Sequence, residues 1–284
     1  MDISIIIVSW NVRDKLRQNL EALLKVEGDF SFETIVVDNN SSDGTVAMVR
    51  ENFPMVKVMA NSENLGFAKA NNQAIKETSG DFILLLNPDM AVHPDTLEIM
   101  LDWFRNNSQV TVASCRLVDV HGRNIPHARR FPTLSDQLLI VLKLGHVFPG
   151  LLNKYLNKNL DYSRPAKVDS VRGAFFMINR ANYRKLSGQE SLLDERYFVW
   201  FEEVDFCQTV YQLGGEVWYV PLAEAIDHVG ASFSQLERLT TQRYFRDSML
   251  KYFAKWHKPW QVKVLSAAWS FTLLFLKLCP KKSH

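Results

Sequence analysis

Cysteine is scarce in this chain. Its three cysteines, Cys115, Cys207 and Cys279, are scattered and odd in number. They have neither the paired spacing of a zinc site nor that of a disulfide framework, and read as reduced structural thiols in a cytoplasmic protein. No glycine-rich turn follows the first apolar run, where Ser9-Trp10-Asn11-Val12 stands instead, so a dinucleotide-binding fingerprint is excluded. Charge of one sign is also lacking. The formal net charge is +2 and no basic groove motif with interleaved aromatics is present, so nucleic acid is not an expected partner. Asp2 stands where a signal peptide would be basic. The uncharged stretch Val264 to Leu276 falls short of the about 20 apolar residues that cross a bilayer. No internal repeat or low-complexity segment is found.

What is present is an alternation of strands and helices in 284 residues, 47% hydrophobic and 23% charged. Ile3 to Asn11 reads as a strand. Val12 to Lys25 carries Leu16, Leu20, Leu23 and Leu24 at helical spacing. Thr34 to Asp38, Val56 to Met59 and Phe82 to Leu86 read as further strands, separated by helices that end near Phe53 and Thr78. A helix to about Asn106 and a strand from Val110 to Cys115 follow. Such alternation implies an α/β fold with a mainly parallel sheet flanked by helices. The stretch Asp119 to Asp169 is loop-rich and includes an apolar segment, Leu138 to Leu152, broken by Gly145, Pro149 and Gly150. Ser170 to Ile178 reads as a strand, the acidic Glu202-Glu203-Val204-Asp205 opens a helix to Leu213, and Glu216 to Val220 is the last strand. The expected division is a domain over 1–233, in halves 1–115 and 116–233, with a helical extension over 234–284.

Two apolar strands stop abruptly at an acid. Phe82 to Leu86 runs into Asn87-Pro88-Asp89, and Thr34 to Val37 into Asp38. Ligands of open α/β sheets bind beyond the carboxyl ends of such strands. Asp89 is placed to hold Mg²⁺ or Mn²⁺ against substrate phosphates, and Asp38 to accept a ring N–H of uracil or thymine; turn and strand-end roles are the plain alternatives. Asn64-Leu65-Gly66-Phe67-Ala68 opens a helix with small residues that permit close backbone approach and an N-terminus that favours anions. Glu202, Glu203 and Asp205 are candidate general bases, since crowded carboxylates raise one another's pKa. His228, after the last strand, suits a metal or a satisfied core position.

In the tail, Lys251, Lys255, Lys258 and Lys263 interleave with Tyr252, Phe253, Trp256 and Trp260 ahead of the uncharged stretch. That order suits a segment lying in the membrane interface, with docking on the protein's own core or on another subunit as the alternative.

In order, Val8-Ser9-Trp10-Asn11, Val37 to Thr45, Asn64 to Ala68, Leu86-Asn87-Pro88-Asp89, Arg172-Gly173-Ala174 and Phe201 to Asp205 resemble glycosyltransferase family 2, the inverting enzymes of the GT-A fold. The Asn-Pro-Asp form, Arg129-Arg130-Phe131-Pro132 and His228-Val229-Gly230-Ala231-Ser232 resemble its rhamnosyltransferase-like branch. The resemblance implies a nucleotide-sugar half and an acceptor half. Asp38 would bind the base, with Ser9, Asn11, Asn64, Gly66 and Asn87 around the nucleotide sugar. Asp89 and His228 would hold the metal, Asn87 standing where the family's motif has its first Asp. Arg172, Gly173, Trp200 and Glu202 would meet the acceptor. Glu203 falls at the catalytic Asp position, one methylene longer, with Asp205 as fallback base. The implied partners are a dTDP- or UDP-sugar, a glycan or polyprenyl-diphosphate-linked acceptor, and the inner face of the cell membrane. A nucleotidyltransferase and a catalytically silent glycan-assembly partner are the competing readings; oligomeric state is left open.

Overall fold

The computed structural model describes residues 1–228 and 237–278, apart from the side chains of 275–278. The expected boundary at 233/234, the segment 229–232 and Cys279 lie outside the described residues.

The first half alternates as the apolar spacing predicts: β1 (Ile3–Ser9), α1 (Arg13–Leu23), β2 (Phe32–Asp38), α2 (Thr45–Asn52), β3 (Lys57–Ala60), α3 (Phe67–Ile75) and β4 (Phe82–Leu86). These strands lie side by side as β3-β2-β1-β4, all parallel. Ser9 pairs with Asp38 and Ile6 with Leu85, so β1, β2 and β4 end along one edge.

After β4 come β5 (Met90–Val92), α4 (Thr96–Asn106), β6 (Val112–Val118), α5 (Leu134–Val141), β7 (Ala166–Lys167), β8 (Phe175–Asn179), α6 (Arg180–Ser187), α7 (Glu202–Gln212) and β9 (Val217–Asp227). β8 enters the sheet antiparallel between β4 and β6, β9 runs parallel to β6, and β5 pairs antiparallel with the end of β9. The parallel pattern therefore holds across β1 to β4 and between β6 and β9.

β9 runs past Val220, where the sequence reading ends it. Pro221 is a poor sheet residue, but Cys115 faces Val220 while Arg116 faces Glu224, so the proline sits in a bulge where no ladder bond is needed. The expected division between 115 and 116 falls at this register shift inside β6. β5 and α6 were not anticipated: β5 has three residues, too few to show a period.

Alternation along the strands splits the core. Ile5, Ile7 and Leu84 pack with α1 and α4 on one face, and Ile6, Ile35 and Ile83 with α3 and α7 on the other. A third cluster joins Val141 of α5, Tyr197 and Phe201 ahead of α7, and residues of α8 (Arg238–Trp256) and α9 (Pro259–Leu278). Tyr252 and Phe253, expected at a membrane interface, are fully buried in this cluster, which corrects that part of the tail reading. α8 docks on the protein itself.

Candidate active site

The turn after β4 is fixed from several sides. Asn87 donates its N–H to the Ala174 carbonyl at 2.9 Å, and Asn19 Nδ2 donates to the Asn87 carbonyl at 2.9 Å. Asp89 then leads into β5, whose Met90 pairs with Asp227. The next residue, His228, donates its N–H to the Asp89 carbonyl at 3.0 Å. Asp89 is largely buried but borders a cavity of about 500 Å³.

Because β8 runs antiparallel beside β4, Arg172-Gly173-Ala174 arrives next to Asn87 and lines the same cavity. Arg172 Nη1 donates to the buried Asp227 carboxylate at 2.6 Å. A Cβ on Gly173 would stand 3.6 Å from that of Glu203, ordinary van der Waals contact, so the Glu203 side chain lies against the Arg172-Gly173 segment.

Glu202 and Glu203 both line the cavity from the first turn of α7. They are presented by two consecutive aromatic residues in the left-handed region, Trp200 (φ 64°) and Phe201 (φ 66°). Non-glycine residues rarely adopt this backbone, and a surrounding structure must hold it. Here Phe201 packs on Phe245 and Tyr252, Trp200 meets Phe245 edge-on, and Ser248 Oγ donates to the Val199 carbonyl at 2.7 Å. All these supports come from α8.

Burial pushes both carboxyls above the usual range. The Glu203 charge pushes Glu202 further, whereas backbone N–H groups and Arg172 oppose the rise at Glu203. One Oε2 on each carboxyl is buried without a hydrogen-bond partner. Two such groups side by side disfavour a double negative charge, with Glu203 better placed to be the anion.

Asp205, expected as fallback base, has a different role. It does not line the cavity. Its Oδ2 accepts from Lys255 Nζ at 2.6 Å, and its Oδ1 from Trp256 Nε1 at 2.6 Å and Tyr197 Oη at 3.2 Å. Two of these three donors come from α8, so Asp205 anchors α8 to α7.

Behind the other side of the cavity, and not in its lining, the buried Asp38 accepts the Ser41 N–H at 2.9 Å on Oδ2, while its Oδ1 has no hydrogen-bond partner within the protein. Asn39, which the sequence reading did not single out, lines the cavity and donates Nδ2 to the Gly66 carbonyl at 3.1 Å. Asn64 and Gly66 line it as expected, with Asn64 Oδ1 accepting the Gly66 N–H at 2.9 Å. Gly66 has φ 82°, and a Cβ there would stand 2.5 Å from the Phe198 carbonyl oxygen, so the approach its small size permits is to the protein's own backbone. Ser9 is fully buried, and Asn11 holds the Ser41-Ser42 loop through its N–H and Oδ1. Neither lines the cavity; they support the Asp38 loop from behind. Trp10, Phe198 and Tyr244, also unanticipated, complete the wall. Tyr244 comes from α8 and stacks on Phe198 with ring centroids 4.6 Å apart.

Among the described residues, no three His, Cys, Asp or Glu side chains gather into a metal cage. His228 does not line the cavity, but burial and Lys15 hold its imidazole below the ordinary histidine value against the opposing pull of Asp89 and Asp227. A carboxylate and a neutral imidazole joined through the backbone fit Mg²⁺ or Mn²⁺, which leave their other positions to substrate oxygens and water.

The fold is shared with solved glycosyltransferases. S. aureus TarS 1-349 superposes with a TM-score of 0.58 at 17% identity, over 99% of this chain and 74% of that one. The mannosyltransferase of Pyrobaculum calidifontis, solved with GDP-Man and Mn²⁺, gives 0.59 at 17% identity, over 99% and 76%. In sequence, the N-acetylglucosaminyl-diphospho-decaprenol L-rhamnosyltransferase of Mycobacterium tuberculosis is 27% identical over 221 residues, 73% of this chain and 70% of that protein. Rhamnosyltransferase WbbL of Escherichia coli is 25% identical over 236 residues, 79% and 82%. Residues 4–187 match the family described as Glycosyl transferase family 2. That span carries Asp38, Asn64, Asp89 and Arg172 on a GT-A fold, and the chain accordingly belongs to glycosyl transferase family 2 and is a glycosyltransferase.

Proposed function

We propose that this enzyme moves L-rhamnose from dTDP-L-rhamnose, with inversion, to a glycan acceptor carried on polyprenyl diphosphate in cell-surface polysaccharide synthesis. The supporting relatives are those whose names specify rhamnosyl transfer, one of them to a decaprenol-linked sugar. Such an acceptor puts the enzyme at the inner face of the cell membrane. The observation that carries the reading is that Asp89 and the Glu202–Glu203 pair line one cavity. In this reading residues 1–233 form the catalytic domain, with nucleotide-sugar and acceptor halves meeting near 115/116, and 234–284 a helical extension.

Asp38, just behind the cavity lining, is assigned to the pyrimidine ring N–H, because its Oδ1 has no partner within the protein. Asn39, Asn64, Gly66 and Asn87 surround the rest of the donor. Asp89 and His228 would hold Mg²⁺ or Mn²⁺, which when bound neutralises the charge of the leaving diphosphate. Arg172, Gly173, Trp200 and Glu202 form the acceptor side. Glu203 removes the acceptor hydroxyl proton. The oxygen attacks the anomeric carbon as the bond to the diphosphate breaks, and that electron pair leaves with the diphosphate. Glu202, protonated, donates a hydrogen bond rather than competing for the proton. The apolar walls Phe198, Trp200 and Tyr244 keep water from taking the acceptor's place.

The test is thermal stabilisation by a panel of sugar nucleotides with Mn²⁺, followed by transfer to a polyprenyl-diphosphate acceptor. The expected result is stabilisation by dTDP-rhamnose and formation of a rhamnosylated product. Stabilisation by other donors only would overturn the sugar assignment.

A further inference from the structure

Two distant stretches of chain leave their large apolar side chains in solvent. Leu142, Leu144, Val147, Phe148 and Leu151 are exposed in the 3₁₀ turns after α5. Trp260, Val264, Phe271 and Leu274 are exposed on α9. Both are anchored by buried partners from the same cluster. Val141 packs with Leu265 and Trp269, and Thr272 Oγ1 donates to the Val141 carbonyl at 3.1 Å. The turns begin directly after Val141, so both stretches extend from this one contact between α5 and α9. Monomeric proteins seldom expose apolar groups in such concentration without a partner.

The charge around them is of one sign. No Asp or Glu occurs from 137 to 160, and none after Asp247. Lys143, Lys154, Lys158, Lys258 and Lys263 are exposed within these stretches. Apolar groups fringed by lysines match the boundary of a bilayer bearing anionic headgroups. Among the described residues no helix is long and apolar enough to cross a membrane, which leaves lying on the surface as the mode of contact.

We propose that the 142–151 turns and the outer side of α9 form one docking face for an anionic lipid bilayer. The inference deepens the proposed function and rests on its reading of a membrane-borne acceptor. The face is linked to the catalytic cavity by ring contacts: Trp269 of α9 meets Phe245 at 6.1 Å, and Phe245 meets the cavity residue Trp200 at 5.8 Å.

The test is co-sedimentation of the full chain with vesicles of phosphatidylcholine alone and of phosphatidylcholine mixed with phosphatidylglycerol. Binding is expected only to the mixed vesicles and should weaken as salt is raised. The double variant Phe148→Asp/Phe271→Asp should lose about tenfold or more of that binding. Lys143→Glu/Lys263→Glu, which keeps the apolar groups, should lose binding in the same direction and covers the case in which the first variant does not fold. Transfer to a water-soluble acceptor analogue should be unchanged in both. Wild-type protein left in the supernatant with mixed vesicles, or variants that bind as wild type does, would overturn the proposal. So would a wild-type dimer that becomes monomeric in the variants without any vesicle binding, which assigns the face to a second copy. Protein that binds vesicles yet transfers nothing to a polyprenyl-diphosphate acceptor would instead sink the acceptor reading alone.

Discussion

Lys255 Nζ lies 2.6 Å from Asp205 Oδ2, joining α8 to α7, the helix that carries the proposed base. Asp205 is almost wholly buried while Lys255 keeps partial contact with solvent. Lys255→Met leaves the buried carboxylate without its cation. We expect a loss of about 3 kcal/mol in unfolding free energy, measured in urea. A loss below about 0.5 kcal/mol, the range of ordinary surface changes, would show that the pair does not fasten α8 to α7.

Glu203→Gln should bind the sugar nucleotide as well as wild type and lower kcat by about 10²–10⁴. Glu202→Gln keeps a hydrogen-bond donor at the neighbouring position and should be milder. Calorimetric donor binding beside steady-state kinetics separates the two. If Glu202→Gln is the inactive variant, the roles are reversed.

Burial holds the Glu203 carboxyl above its ordinary value. The base works deprotonated, so activity should rise with pH through an acid limb that lies above the ordinary glutamate value of about 4.3. A limb at or below that value in a kcat/KM profile would mean that a solvated carboxylate is the base.

Asp89→Ala should abolish stabilisation by donor plus Mn²⁺ while leaving the unfolding midpoint of the ligand-free protein near that of wild type. Chelation should reduce wild-type transfer, and Mg²⁺ or Mn²⁺ should restore it. Full activity in the presence of chelator would remove Asp89 and His228 from a metal role.

His127 gives a separate pH signature. It is buried, its Nε2 lies 2.9 Å from the Cys115 carbonyl, and burial pushes the imidazole down to about 3. The unfolded chain takes up this proton below about 6.5, whereas the folded chain does not. Stability is therefore fully present above that value and falls by about 1.4 kcal/mol per unit as pH drops toward the folded value. His127→Gln should flatten this slope in urea unfolding across the acid range; an unchanged slope would place the acid sensitivity elsewhere.

The parallel half of the fold was legible because each strand there is a short apolar run ending in an acid or a turn, and each helix has its own apolar stripe. Asp89, Glu202 and Glu203 were legible for the same reason: carboxylates directly after apolar runs are conspicuous. Other parts depend on contacts that no local pattern encodes. Asp205 looked like its neighbours until Lys255 and Trp256, fifty residues on, were found holding it. Tyr244 reaches the cavity only because α8 packs behind the Trp200-Phe201 turn. Tyr252 and Phe253 suggested a headgroup boundary because burial against one's own core and burial in lipid select the same side chains.

The strained Trp200-Phe201 turn has a consequence for biosynthesis. Its props, Phe245, Ser248 and Tyr252, leave the ribosome well after the strands that bear Asp38 and Asp89. A nascent chain can therefore pair its first strands and shape the Asp89 turn early, yet Glu202 and Glu203 are presented only once α8 has emerged and docked. The carboxylate pair therefore takes its place in the cavity later than the parallel strands take theirs in the sheet.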